Sequence, residues 1–488
     1  MAGPVPGSAD LVVRNAAVLD GTGAPAFVAD VAVSGGRIAA IGDLGRTVAV
    51  EDIDAAGLTL APGFIDVHTH DDRYLIDDPG VPAKASQGVT TVVTGNCGIS
   101  VAPLRKASVP PAPFDLIGPK REDYFADVAA YMTAVERAGP AVNAAVQVGH
   151  SLLRHDAMDR LDRPARDDEI AAMQRALGEA MEAGAIGLSS GLFYPPARAA
   201  TEDEVAAVAS AMAPFGGLYT AHIRNEAEGV VDAVEEAASI GRRAGVRAVV
   251  SHHKCMGRAN WGRTRETLAL FDRLREGQRI GLDVYPYTAG STSLLPEMIA
   301  AAERTVVTWS RARPEVAGRD LADIAAEMGL APLDAARALQ PAGALYFLMD
   351  DADVARVLAW PHAMIGSDGL PADEHPHPRL WGTFPRVLGH YVRERGVLSL
   401  ADAVHRMTGL AAAEFGLADR GTLRVGAWAD LVLFDPATVA DRATYEEPRR
   451  PAGGIALVAV NGEPVWRDGR PTGARPGRVL RPAARRGV

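Results

Sequence analysis

The apolar and polar positions divide the chain into three parts. Near the start, residues 11–13, 27–33 and 37–41 are apolar-rich runs, with turn signals at Asp20-Gly21 and Gly35-Gly36. Thr59-Leu60 precedes a break at Pro62-Gly63. The far end repeats the pattern: residues 429–434, 454–460 and 464–466 read as short strands, with turns at Asn461-Gly462 and Asp468-Gly469. Two β ends around a different middle predict one small β-sandwich-like domain, built from residues 1–61 and 414–488.

The middle alternates strand and helix. Strand candidates are residues 64–70, 90–97, 143–150, 185–191, 218–224, 247–254, 279–287 and 363–369. Helical patterns separate most of them. Ile170, Met173, Leu177 and Met181 form one stripe along 167–184, which ends in Gly184. Thr201-Glu202-Asp203-Glu204 has the form of a capping box, as does Ser399 to Asp402. Eight strands alternating with helices imply parallel βαβ units, hence an α/β fold with a (β/α)8 TIM-like barrel over residues 62–413. One interval is too long for a crossover. Residues 289–346 read as an insertion between the seventh and eighth strands, with two short helices in 319–340 around Gly329 and Pro332. It starts at the C-terminal end of a barrel strand and so lies over the mouth, either as decoration or as a lid or specificity element.

Composition narrows the class. Among 488 residues, 48% are hydrophobic and 23% charged, as in an ordinary soluble globular protein. A net charge of −11 argues against nucleic acid or an anionic membrane as the main partner. Two cysteines, Cys97 and Cys255, make no disulfide framework and fit a reducing, cytoplasmic setting. Met1 to Asp10 has no basic stretch followed by an apolar run, and no run is long enough to span a bilayer.

The candidate chemistry sits where a barrel puts it. His68 and His70 are one residue apart at the end of the first strand, so strand alternation puts them on one face, together with Asp66. Alone, such a pair reads equally as core or surface histidines. The other strand ends decide: Cys97 on the second, His222 on the fifth, His252 and Lys254 on the sixth, Tyr285 and Tyr287 on the seventh, Asp368 on the eighth. Barrel active sites are built from C-terminal strand ends, and scattered core histidines do not gather at one end. A thiolate with imidazoles suits zinc and not magnesium or calcium. On the sixth strand, alternation turns His253 and Cys255 outward as structural residues. His150, ending the third strand, reads as structural or as support for the site. His375 and His377 flank Pro376 as loop-ordering residues, and His155, His362, His390 and His405 fall in helices or connections.

Histidines on strands one, five and six with an aspartate on strand eight resemble the amidohydrolase superfamily. Many members carry a carboxylated lysine on strand four; residues 185–191 hold no lysine, and Cys97 stands in its place. Gly95-Asn96-Cys97-Gly98-Ile99-Ser100, His252-His253-Lys254 and Ser367-Asp368-Gly369-Leu370-Pro371 resemble the N-acyl-D-amino-acid deacylases (D-aminoacylases), and residues 191–195 and 375–381 fit as well. The resemblance implies a zinc amide hydrolase acting on a small N-acyl amino acid. Cys97, His222 and His252 hold one tight ion; His68 and His70, with Cys97 and Asp368 bridging, form a weaker second position. Asp368 is the general base. Lys254 is the first candidate for binding the substrate carboxylate, and by resemblance Tyr194, Tyr285, Ser291 and Arg379 join it. Three rivals stay open: a cyclic-amide hydrolase of the hydantoinase kind, a non-catalytic relative that keeps the fold as a binding module, and a barrel lyase using Lys254 as a Schiff base.

Overall fold

The computed structural model describes residues 7–482. Residues 1–6 and 483–488, the outer ends of the expected small domain and part of the stretch read as leaderless, lie outside the described residues. Among the described residues, eight parallel strands make a near-closed barrel. They are Phe64–Asp66, Val89–Thr94, Asn143–Gly149, Gly187–Gly191, Leu218–His222, Arg247–Val250, Ile280–Val284 and Ala363–Ile365. Neighbours pair in chain order, and the seventh pairs with the eighth. A parallel bridge from Thr69 to Gly369 and a 2.8 Å bond from Asp368 N to His68 O bring the last strand to the first. Helices cover the outside, so the strands are buried on both faces and carry no apolar–polar alternation. Ile65, Val93, Ala145, Ile186, Leu218, Val249 and Met364, from seven of the eight strand positions, pack together as the barrel's inner layer.

A separate nine-stranded sheet draws on both chain ends. Its order runs Arg470–Pro471, Glu463–Arg467, Ile455–Val460, Leu431–Phe434, Thr59–Pro62, Ser8–Val18, Phe27–Ser34 and Arg37–Gly42. Val48–Asp54, an exposed strand the hydropathy pattern does not reveal, pairs in parallel with Ser8–Val18. Beyond this sheet the chain returns to the barrel, where Val479–Leu480 pairs with Asn143–Gly149.

The stretch between the seventh and eighth barrel strands holds helices Leu321–Met328 and Pro332–Ala338, around Gly329. It also forms a three-stranded antiparallel sheet of Ala289–Ser293, Ala342–Phe347 and Arg304–Ser310.

The regular strands are shorter than their sequence patterns, and this matters for the site. His68, Cys97, His252 and Asp368 all lie past the last paired residue of their strand. Alternation does not extend to them. Asp66 therefore does not join His68 and His70: it accepts from Lys84 Nζ at 2.8 Å and from Ser367 N at 2.8 Å, both buried. Cys97, His252 and Asp368 have φ of 54°, 37° and 51°. Non-glycine residues hold such backbone only where the surroundings over-determine it.

Candidate metal centre and substrate cleft

Four donors converge past the strand ends. His68, Cys97, His252 and Asp368 each offer an atom within 4.8 Å of all the others, and all four are buried. Cys97 Sγ lies 3.2 Å from His68 Nε2 and 3.3 Å from His252 Nε2. Asp368 Oδ1 lies 3.4 Å from His68 Nε2 and 3.2 Å from His70 Nε2. His222 falls in a second group with Glu226 and His252, its ring 4.5 Å from that of His252.

Each of the two central imidazoles has a carboxylate behind it. His68 Nδ1 lies 3.3 Å from Asp283 and His252 Nδ1 lies 3.1 Å from Glu226. A carboxylate on the far ring nitrogen fixes the tautomer and leaves Nε2 free to bind a metal. Asp283 also accepts from His252 N at 2.8 Å, which holds the strained turn in place. Glu226 is ion-paired to Lys254 Nζ at 2.6 Å. Sequence reading misses both carboxylates. Asp283 was within reach, since it lies two residues before Tyr285 in the same strand candidate. Glu226 gives no sequence signal, being one more acidic residue in a loop.

The electrostatics suit a metal centre. Burial opposes charge on every group; at Cys97 and Asp368 the neighbours prevail, whereas at His222 burial wins and favours the neutral imidazole. His68 and His252 hold the Cys97 thiol far below its usual range, and Arg379, His252 and His68 do the same for Asp368. Burial works against the Glu226 carboxylate too, and Lys254, His222 and His252 together outweigh it. A thiolate and a carboxylate are the forms that bind metal. Both ring nitrogens of His222 and Nδ1 of His70 are buried without a hydrogen-bond partner. Buried polar atoms without partners are rare, and here they face a cluster of metal-ligand types, so the residues fit a zinc ion.

The other candidates line the same cleft. His70, Tyr194, His222, His252, Lys254, Tyr285, Ser291, Asp368 and Arg379 all border it. Arg379 Nη1 lies 2.9 Å from Asp368 Oδ2, and Nη2 donates to Ser291 O at 3.2 Å. Its guanidinium lies 4.6 Å over the Tyr285 ring. Arg379 Nε and Ser291 Oγ are buried without a hydrogen-bond partner. Tyr194 shares a 3.1 Å hydroxyl contact with Thr292 of the inserted sheet. Met256, Met298, Leu348 and Met349 add apolar lining to the same cleft.

The remaining histidines stand apart from this cluster. His253 Nε2 lies 2.8 Å from the Thr267 hydroxyl and its ring packs edge-on to Phe271. His150 opens a helix and lies 3.4 Å from Glu204, itself paired with Arg154. His377 accepts from Arg379 N at 2.9 Å, and its Nε2 lies 3.0 Å from Ala289 O. His375 bonds Tyr445 O at 2.7 Å. Among the described residues no helix is long and apolar enough to cross a membrane.

Comparison with known proteins agrees with this geometry. The amidohydrolase family model matches residues 51–466. The D-aminoacylase of Alcaligenes xylosoxydans xylosoxydans is 54% identical over 474 residues, 96% of this chain and 97% of that one. The N-acyl-D-aspartate deacylase of the same organism is 51% identical over 479 residues, 98% and 96% of the two chains. The structure of N-acyl-D-glutamate deacylase from Bordetella bronchiseptica was solved with zinc and a phosphonate inhibitor that mimics the tetrahedral intermediate. It matches with a TM-score of 0.94 and 50% identity, covering 97% of this chain and 100% of that one. The chain belongs to the amidohydrolase family and, within it, to the N-acyl-D-amino-acid deacylases (D-aminoacylases), hydrolases of linear amide bonds.

Proposed function

We propose that this enzyme uses zinc to hydrolyse N-acyl-D-amino acids with apolar side chains, releasing a carboxylate and the free D-amino acid. The observation that carries the reading is one cleft with three parts: a thiolate–imidazole–carboxylate cluster, a fixed cation at Arg379, and an apolar wall. Cys97, His222 and His252 would hold the tight ion, and His68 and His70, with Cys97 and Asp368, a second. The ion, when bound, supplies Lewis acidity to the amide carbonyl and makes water a nucleophile near neutral pH.

The protein's own residues supply the rest. Asp368, anionic and buried, takes the proton of the attacking water and returns it to the leaving nitrogen. Arg379, Ser291 and Tyr285, with Lys254, bind the α-carboxylate; a guanidinium matches that group bidentately. Glu226 fixes the Lys254 ammonium through its 2.6 Å contact. Tyr194 packs against His222, with ring centres 4.8 Å apart, and closes that side of the cleft.

The side-chain preference follows from charge. Lys254 and Arg379 each already face a protein carboxylate, Glu226 and Asp368. An acidic substrate side chain would bring a second anion against Met298, Leu348 and Met349, where nothing pairs with it. The D preference is carried by the relatives' activities. Amine release from N-acetyl amino acids of both hands, with zinc supplied, tests the reading. The expected result is cleavage of D-leucine and D-methionine derivatives well ahead of D-aspartate and D-glutamate. Cleavage of L-substrates overturns the stereochemistry, and a lead for acidic side chains overturns the preference. Turnover of hydantoin in place of all of these would favour the cyclic-amide rival.

A further inference from the structure

Two clefts open at the mouth of the barrel, and they share two lining residues. The first holds the charged cluster and measures about 530 Å³ including its open side. The second, about 590 Å³ including its open side, lies over the loops that follow the first, second and eighth strands. Its apolar surface comes from Tyr74, Ile117, Pro119, Pro371 and Ala372. His70 and Leu116 line both clefts.

The order of groups across the first cleft decides which end of a substrate points toward those two residues. Arg379 lies 2.9 Å from Asp368, and Asp368 lies 3.2 Å from His70. On the reading proposed above, on which this inference rests, the substrate carboxylate sits at Arg379 and the scissile carbon beside Asp368. That carbon carries nitrogen on one side and the acyl chain on the other. The chain therefore runs away from Arg379, past His70 and Leu116. An acetyl group ends there, whereas a longer chain continues into the second cleft. The charges on that cleft do not stand alone against an alkyl chain. Arg73 pairs with Asp77 at 2.5 Å and lies 4.0 Å from Asp123.

We propose that the second cleft is an acyl-chain subsite, and that the enzyme accepts linear N-acyl groups longer than acetyl, whose tails lie against Leu116, Ile117 and Pro371. Each methylene moved from water onto this surface should raise kcat/KM by about two- to fourfold until the cleft is filled.

The test is kcat/KM for N-acetyl, N-butanoyl, N-hexanoyl and N-octanoyl derivatives of one apolar D-amino acid, in the zinc-loaded enzyme and in Ala372→Trp. Ala372 is exposed and lines the second cleft but not the first. The expected result is a rise along the series in the natural enzyme and a flattened series in the variant, with acetyl turnover as the internal check on folding. A flat or falling series in the natural enzyme overturns the subsite and leaves the deacylase reading standing. An equal rise in both proteins also overturns it, because the tail then lies elsewhere. Failure of the natural enzyme to cleave any member of the series overturns the reaction and the subsite together.

Discussion

Asp368 is kept anionic by its neighbours against burial, and that sets what its loss should do. Burial alone would favour the neutral acid, but Arg379, His252 and His68 keep it ionised. In the proposed reaction it moves the proton twice, so Asp368→Asn should lower kcat by about 10²–10⁴-fold. The tight zinc should stay bound, because Cys97, His222 and His252 remain; metal analysis beside kinetics checks both halves, and near-normal turnover would remove Asp368 as base. Glu226 answers a different question. Its carboxylate is the partner of the Lys254 ammonium, and both are buried. Glu226→Gln leaves that ammonium without its counter-charge, at a cost of about 3–5 kcal/mol. A lower unfolding midpoint and a higher KM should appear together; a variant as stable as the natural protein would show that Lys254 does not need Glu226. At this scale the ligand types were legible because a barrel collects chemistry at strand ends. Glu226 was not legible, because nothing in a loop of acidic and small residues marks which carboxylate turns inward.

The elements that aim these side chains are turns, not strands. Strand alternation puts His252 and Lys254 on one side and His253 on the other. That is how they lie, although all three are past the end of Arg247–Val250 and His252 has φ of 37°. The first strand shows the limit of the argument. Alternation groups Asp66 with His68, but the paired strand ends at Asp66 and the two diverge. What holds the turns is close packing between the first and last strands. A Cβ on Gly366 would lie 2.5 Å from His68 Cβ, a contact that real Cβ atoms essentially never make, and a tight 3.0 Å from Asp283 Oδ1. Gly366→Ala should therefore push His68 off Cys97 and Asp368 without changing any chemical group. Displacements of about 1 Å in a reacting constellation cost on the order of 10²-fold. The expected outcome is that loss in kcat/KM in a protein whose far-ultraviolet circular dichroism is unchanged, and full activity would show that the strand ends are looser than the packing implies. The inserted sheet was hidden for a related reason. Ala289–Ser293 is Ala-Gly-Ser-Thr-Ser, a strand without a hydrophobic signature, formed because its partner Ala342–Phe347 supplies the register.

At the scale of the whole molecule, the barrel and the nine-stranded sheet share an apolar core, where Phe64 and Phe434 lie with ring centres 6.4 Å apart, and a buried carboxylate ties them together beside it. Asp430 accepts from Arg420, from Asn461 N at 2.8 Å and from Asn143 Nδ2 at 3.3 Å. Asn143 begins the third barrel strand, and its Oδ1 accepts from Asn461 Nδ2 at 2.9 Å and from Arg478 N at 3.1 Å. The Asp430 carbonyl accepts from Gly63 N at 2.8 Å, just before the first barrel strand. Both chain ends and two barrel strands thus meet at a group that is 4% exposed. The three-part pattern of apolar runs made the two units legible in the sequence. Their joint was not, since Asp430 reads there as one polar residue in a β run. Asp430→Ala leaves the buried Arg420 guanidinium unpaired, at a cost of about 3–5 kcal/mol. That loss falls on the contact between the two units, so cooperativity should suffer as well as stability. Scanning calorimetry should show the single unfolding peak of the natural protein split into two, with the lower one assigned to the sheet of both chain ends. A single peak at a lower temperature would mean that the barrel cannot stand without that sheet, and a single unmoved peak would show that the joint lies elsewhere.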